Sequence, residues 1–367
     1  MSTSRPPLPF RPPPASPSRP SARITQKDIA RAAGLTIAAV SLALRNDPSI
    51  PPRTCARVRK LAARLGYAPD PMLGALSRYR LRANPVGFHG NLAWLASTTA
   101  GFDWRKIPHF AEYVEGSRQQ AARHGYQLAI LDLAETEGSW RRMGDVALAR
   151  GVHGLLLCPQ PCPDASISGL SWEKFSAVTF GYSLKQPDLH SVAPAHYQAT
   201  LDTMERLHAL GYRRVGFATI RSHDQRTNHN FLAGYLAART LHGLPDIPPY
   251  LGDQWWTEAA LRDWIQDERL DAVLTCDVQF NRSIGQWSLP VPRRLGVACP
   301  MLPTTDSGLS GMLEDNRRIG AAAVDQLVAM IQRNERGVPG HPQRLLIRSS
   351  WHPGTTLRRR EPRVRST

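Results

Sequence analysis

Between residues 24 and 67 the chain reads ITQKDIARAAGLTIAAVSLALRNDPSIPPRTCARVRKLAARLGY, and its apolar positions fall into three short helical stripes. Ile29, Ala30 and Ala33 mark one face of a first helix. Thr25 is placed to cap it, with Asp28 three residues on as in a capping box. Gly34 ends that helix where the chain must turn through positive φ. Thr36 caps a second helix whose Val40 and Leu44 point to the core, and Asp47-Pro48 breaks it. Pro51 and Pro52 open a third, with Val58, Leu61, Ala62 and Leu65 on its buried face and Gly66 as its stop. Two helices meeting at a glycine, followed by a third, predict a helix-turn-helix. The outer side of its second helix (Ile37, Ala38, Ser41) is small and smooth enough to enter a major groove about 12 Å wide.

From about residue 86 the pattern alternates strand and helix. Strands are predicted over 91–97, 126–133, 153–159, 177–182, 213–220, 272–277 and 294–299. Helices are predicted over 109–125, 140–151, 199–211, 230–243, 258–267 and 319–333, with a closing strand and turn in RLLIRSSWHPGTT. Such alternation implies parallel sheets covered by helices, and its restart near residue 213 implies two similar lobes with a ligand cleft between them. The expected fold class is therefore α/β with an N-terminal all-α helix-turn-helix head and an effector domain of two α/β lobes. The expected organisation is a basic Pro-rich arm (1–23), the head (24–68), a hinge (69–84), a two-lobed domain (85–354) and a basic tail (355–367). Within the hinge, residues 72–79 carry Leu73, Leu76 and Tyr79 at helical spacing, but the segment is too short for a stable isolated helix.

Charge follows this organisation. Of the net +16, residues 1–23 contribute +4, residues 24–82 contribute +8, residues 355–367 contribute +4, and residues 83–354 balance. A small basic module on a neutral body points to phosphate contacts made by the head and tails. The five cysteines have no framework spacing; Cys158 and Cys162 are one residue too far apart for a CxxC pair, so reduced core or loop thiols are expected. The first 23 residues have no apolar secretory core, and no apolar run is long enough to span a membrane, so a cytoplasmic location is expected. The chain contains no G-x-S-x-G, phosphate loop, H-E-x-x-H or dinucleotide glycine fingerprint. His190, His196 and His208 are scattered and read as surface or structural. No enzyme activity, catalytic residue, metal or cofactor is expected.

TQKDIARAAGLTIAAVS matches closely the T-x-x-D-[IV]-A-x-x-A-G-[VL]-S-x-x-T-V-S pattern of the LacI/GalR family of bacterial transcription regulators, which this chain resembles over residues 24–357. LGYAPDP is similar to that family's LGY-x-P-N-P junction, and DAVLTCD, RRLGVA and SSWHPGTT fall in the order of its periplasmic-binding-protein-like effector domain. The resemblance implies a sequence-specific DNA-binding regulator, a repressor, whose affinity for a near-palindromic double-stranded operator is tuned by a small-molecule effector, a sugar or derivative. It also implies a homodimer. A solute-binding protein of periplasmic type without a regulatory role is the alternative.

By resemblance, Ile37, Ala38 and Leu42 face bases, and Thr25, Thr36, Ser41, Arg45 and Thr54 lie at the DNA, with Ser41 and Thr54 holding phosphates. Leu76 matches the hinge leucine that wedges into the minor groove. The effector candidates are Ser97, Arg226, His229, Phe231, Trp256 and Asp277, with Asn230 beside them. Departures from the family pattern are Leu42 for arginine, Asp70 for asparagine, Phe231 for arginine, and Gly296-Val297-Ala298-Cys299-Pro300 where an acidic pair is usual. Readout through thymine methyls and DNA shape is expected to outweigh hydrogen bonds to guanine.

Overall fold

The computed structural model describes residues 24–44, 47, 49–67, 89–99, 101–254, 256–276 and 289–359, in two compact units, Met1–Ala83 and Asn84–Thr367. The basic arm, Arg45, Asp70, the hinge with Leu76, Asp277 and the tail beyond residue 359 lie outside the described residues.

In the first unit, α1 (Gln26–Ala33), α2 (Ile37–Leu44) and α3 (Pro52–Arg64) pack through Ile29, Ala30, Val40, Ala43, Cys55, Val58 and Ala62. The Asp28 carboxylate accepts from the Thr25 backbone N–H at 2.9 Å and from its hydroxyl at 2.6 Å, which holds its pKa below the usual carboxylate value. Gly34 takes the left-handed φ of 67° at the turn. The Thr36 hydroxyl accepts from Ala39 N–H at 3.1 Å and starts α2. Arg57 donates to the Ala33 carbonyl at 3.2 Å, so α3 ties down an orphan acceptor at the end of α1. Leu44, expected in the core, is only partly buried; Ala43 takes the enclosed position.

The second unit is built on two six-stranded sheets. The first has the order β13-β7-β5-β3-β1-β2 and is parallel throughout: β1 (Gly90–Ala96), β2 (Tyr126–Asp132), β3 (Val152–Leu157), β5 (Ser176–Phe180), β7 (His190–Pro194) and β13 (Arg344–Ile347). A parallel sheet must cover both faces, so its strands read as continuous apolar runs. Within β1, Leu92, Trp94 and Ala96 face one apolar cluster, and Ala93 and Leu95 face the other. On the first face lie α4 (Pro108–Arg123) and α10 (Asn316–Arg333), and on the second α5 (Trp140–Ala149). A two-stranded ladder of β4 (Ala165–Ser166) and β6 (Leu184–Gln186) stands beside them.

The second sheet has the order β14-β12-β11-β10-β8-β9, from β8 (Val215–Ile220), β9 (Tyr250–Gly252), β10 (Ala272–Thr275), β11 (Gly296–Leu302), β12 (Ser310–Leu313) and β14 (Ser350–Pro353). Only β14 runs antiparallel to its neighbour. Helices α6 (His196–Ala209) and α8 (Asn230–Leu241) pair closely: a Cβ on Gly234 would stand 2.8 Å from the Tyr197 carbonyl oxygen. A short α7 (Arg221–Arg226) and α9 (Glu258–Asp267) complete this lobe.

The lobes are similar, but not sequential halves. Helix α10 follows a second-lobe strand yet packs on α4 of the first lobe. The closing stretch, expected as one strand and turn, makes two strands separated by two residues, one in each sheet. The chain thus passes between lobes three times, at β7–α6, β12–α10 and β13–β14. Strands β7, β9 and β12, which periodicity does not reveal, are short and carry Pro194 or glycine.

The α4–α10 crossing is tight. A Cβ on Gly320 would lie 2.1 Å from the Tyr113 carbonyl oxygen, and one on Gly116 would lie 2.0 Å from that of Arg317. Ser117 Oγ donates to the Gly320 carbonyl at 3.1 Å. Gly320→Ala should lower stability by about 1–3 kcal/mol in urea unfolding of the full chain, because the obstruction is backbone. Gly340→Ala, with open space around the new methyl, should stay within about 0.5 kcal/mol.

Candidate nucleic-acid interface and interlobe cavity

The head presents the start of α2 to solvent. Ile37 is 50% exposed, Thr36 and Ala38 are exposed, and Ser41 and Leu42 are half-buried. Thr25 is exposed beside the start of α1, and Thr54 is half-buried in the first turn of α3. On the same three-helix unit Lys27, Arg31, Arg53, Arg57, Arg59, Lys60 and Arg64 are exposed, and Arg57, Lys60 and Arg64 line a shallow notch with Ala32 and Ala33. A small exposed apolar strip can approach base edges, and exposed cations on the same unit can hold phosphates.

In the second unit a cavity of about 330 Å³ lies between the lobes. About half of its wall comes from the carboxyl ends of strands, and the rest from the helices beside them. The first lobe supplies Pro159 and Pro161 after β3, Gly181, Tyr182 and Ser183 after β5, and Pro194 at the end of β7. The second supplies Ile220 and α7 after β8, Cys276 after β10, Met301 in β11 and Glu314 after β12. Ile107, His109, Phe110 and Tyr113, around the first turns of α4, close one side, and His196 opens α6. This follows the rule that ligands of open α/β sheets bind outside the carboxyl ends of their strands.

The cavity is mostly apolar with a few convergent polar groups, and several of these lack partners. His109 Nδ1, His196 Nδ1 and Arg226 Nε are buried without a hydrogen-bond partner among the described residues. His196 Nε2 lies 3.3 Å from Glu314 Oε1, which itself accepts no well-directed hydrogen bond. Burial pushes His109 down to about 3, reinforced by the charges of Arg226 and His196. Burial likewise pushes His223 down to about 3, with Arg226, His196 and His109 adding to it. Both rings are therefore neutral at physiological pH. Burial lowers the Arg226 pKa, and burial with the nearby Glu314 carboxylate raises that of Tyr113. Unpartnered polar groups in an enclosed wall are costly, and a polar ligand would satisfy them.

The five effector candidates within the described residues separate, Asp277 lying outside them. Arg226 lines the cavity. Phe231 does not; it is fully buried behind the wall, stacked on His196 at 4.3 Å and facing His223 at 5.9 Å, so it braces two lining histidines. His229 turns away, with Nδ1 2.6 Å from Asp224 Oδ2 and its side chain 61% exposed. Asn230, beside it, donates to the Thr227 carbonyl at 2.7 Å. Trp256 lies against Gly252 and edge-on to Tyr250, in the second lobe's core margin. Ser97 is buried after β1, beside Thr98, whose hydroxyl donates to Asp132 at 2.6 Å.

His196 departs from its expected surface or structural role by lining the cavity. His190 is structural: it accepts from Gln343 N–H and donates through Nε2 to Glu335 at 3.0 Å. His208 stacks on His242. Cys158 and Cys276 are buried and Cys162 is exposed, none of the three in a disulfide. His109, Tyr113, Tyr182, His223 and Glu314 escape the sequence reading. The available signal was position, since His223 and Glu314 each follow the end of a strand.

Head, two parallel-sheet lobes and interlobe cavity together define a helix-turn-helix protein with a periplasmic-binding-type ligand domain. Family comparison agrees along the chain. Residues 25–70 match the bacterial regulatory proteins of the lacI family. Residues 102–253 match the periplasmic binding proteins and sugar binding domain of the LacI family, and residues 204–356 match a periplasmic binding protein-like domain. The chain belongs to the LacI family of bacterial regulatory proteins.

Among curated relatives, the transcriptional repressor CytR of Escherichia coli K12 is 28% identical over 230 residues. That alignment spans 62% of this chain and 62% of CytR. The ribose operon repressor of the same organism is 32% identical over 136 residues, 36% of each chain. Among solved structures, the regulator CelR in complex with cellobiose superposes with a TM-score of 0.57 at 18% identity, covering 91% of this chain and 100% of CelR. The lac repressor dimer bound to operator and the anti-inducer ONPF gives 0.53 at 19% identity, covering 91% and 99%.

The two depressed histidines set a pH dependence. Both bind a proton near pH 6.5 when unfolded but only near pH 3 when folded. The unfolded state therefore binds more protons throughout that window, and stability falls as pH drops through it. Urea midpoints measured from pH 7 to pH 3.5 should decline, and His109→Gln with His223→Gln should flatten the decline.

Proposed function

We propose that this protein is a sequence-specific transcriptional repressor whose affinity for operator DNA is set by a small molecule held in the interlobe cavity. The observation that carries the proposal is the pairing, in one chain, of an exposed apolar α2 start on a small basic head with a cavity in which several buried polar atoms lack partners among the described residues. A solute-binding protein without a regulatory role would have no use for the head.

Thr25, Thr36, Ser41 and Thr54 fix the register of the head on phosphates, and Ile37, Ala38 and Leu42 meet base edges, where apolar side chains favour thymine methyls. The operator is near-palindromic, and the protein acts as a homodimer that sets one head on each half-site. The lac repressor dimer on its operator supports this reading. Effector binding alters closure of the lobes, and that change biases the spacing of the heads; such couplings are typically about 1–3 kcal/mol. The CelR–cellobiose complex supports a small effector in a domain of this fold.

Fluorescence anisotropy with duplexes from the DNA flanking its own reading frame tests the proposal. A specific duplex should bind at least about tenfold more tightly than a scrambled one, with affinity falling steeply as salt rises. Ala38→Glu, at an exposed position, should abolish the preference without changing the melting curve. Equal affinity for all duplexes at every salt concentration would refute the reading, and sedimentation as a monomer at micromolar concentration would remove the dimer.

A further inference from the structure

We infer that the cavity takes a small organic monoanion, its carboxylate on Arg226 and its apolar or aromatic body against Phe110, Tyr113, Tyr182 and Met301, in preference to a neutral sugar. This inference rests on the reading of the cavity as the effector site.

The charge of the wall is the first argument. Arg226 is the one Lys or Arg among the described lining residues. It makes no ion pair with any described residue, and its buried Nε has no hydrogen-bond partner. Its guanidinium lies 5.8 Å from the centre of the Phe102 ring, so an aromatic face is its visible neighbour. The lining carboxylate, Glu314, lies 3.3 Å from His196 Nε2 and makes no ion pair with Arg226. A partly desolvated guanidinium without an anion is an expensive arrangement to keep, and its planar fork matches a carboxylate bidentately. Of the three cavity histidines, His109 and His223 are neutral and supply no competing cation, and the third, His196, faces the Glu314 carboxylate at 3.3 Å.

The second argument is what the rest of the wall lacks. A neutral sugar carries a hydroxyl on most carbons, and each loses water on entry and needs a partner. Here prolines, an isoleucine pair, methionine and aromatic rings take most of the surface. Those groups suit a body with few polar atoms. The volume, about 330 Å³, is at the small end of the roughly 300–1,000 Å³ usual for ligand sites, which favours a single ring or short chain. Glu314 adds selectivity. Its carboxylate repels a second negative charge on the ligand, while Oε1 can accept from one ligand hydroxyl. Phe231 is a buried ring behind the wall, and the cavity's guanidinium comes from the end of α7.

Calorimetry on the full chain tests this with 4-hydroxybenzoate, phenylacetate and 4-methylpentanoate, each against its own primary amide, and with D-ribose and cellobiose as neutral sugars. At least one acid should bind tenfold or more tightly than its amide, and Arg226→Gln should shrink that gap below twofold. Arg226→Lys keeps the charge without the fork; it should retain the preference at lower affinity, and it serves as the test if the Gln variant does not fold. The inference is overturned if no acid outbinds its amide, if the gap survives Arg226→Gln, or if a folded Arg226→Lys variant shows none. Sugar binding that exceeds every acid would also overturn it, while leaving the cavity as an effector site. That reading fails separately, if cavity ligands of either kind leave operator affinity unchanged.

Discussion

The constraint on which the second unit depends is that a parallel sheet must be covered on both faces. Once helices lie over both faces, side chains within the strands are committed to packing, as Trp94 and Leu95 are to opposite clusters. The carboxyl ends of the strands are then the places left for chemistry. Two such sheets, facing each other across a cleft, bring Tyr182 and Pro194 from one lobe to His223, Cys276 and Glu314 of the other. The cavity is a consequence of sheet covering before it is a consequence of any individual residue.

The threefold passage of the chain between lobes makes that geometry adjustable. Three adjacent connections, one of them only the two residues between β13 and β14, can act as a hinge while each sheet stays rigid. Packing on either side is unforgiving: Gly116 and Gly320 let α4 and α10 meet backbone to backbone, and Gly234 does the same for α8 against α6. Rigid lobes with a narrow set of connections favour two discrete arrangements over continuous deformation. A ligand bridging Arg226 and the first-lobe aromatics would select one of them.

The head obeys a different economy. Its core is seven small or medium side chains, and the starts of α1 and α2 are set by hydrogen bonds over three residues, between Asp28 and Thr25 and between Thr36 and Ala39. Arg57 adds a longer link, from α3 back to Ala33 at the end of α1. That leaves the outer face of α2 without structural duties, free to carry Ile37 and Ala38 in solvent.

The contrast explains what could be read from residues alone. Capping groups, the turn glycine and the helical stripes act over three or four positions, so the head's three helices, its exposed α2 face and its charge were determined locally. So were the long, strongly apolar strands and the helices between them. Strands β7, β9 and β12 were not legible, because their burial comes from neighbours far along the chain rather than from their own pattern. With β7 and β12 hidden, His196 and Glu314 had no visible place, although both sit just beyond those strand ends. Phe231 and Trp256 seemed to be ligand groups by their position and are packing groups by their surroundings. Only the tertiary structure could decide that, since which lobe α10 joins, which sheet each closing strand enters, and which polar atoms go without partners all depend on contacts between residues far apart in sequence, such as Ser117 with Gly320, 203 positions on.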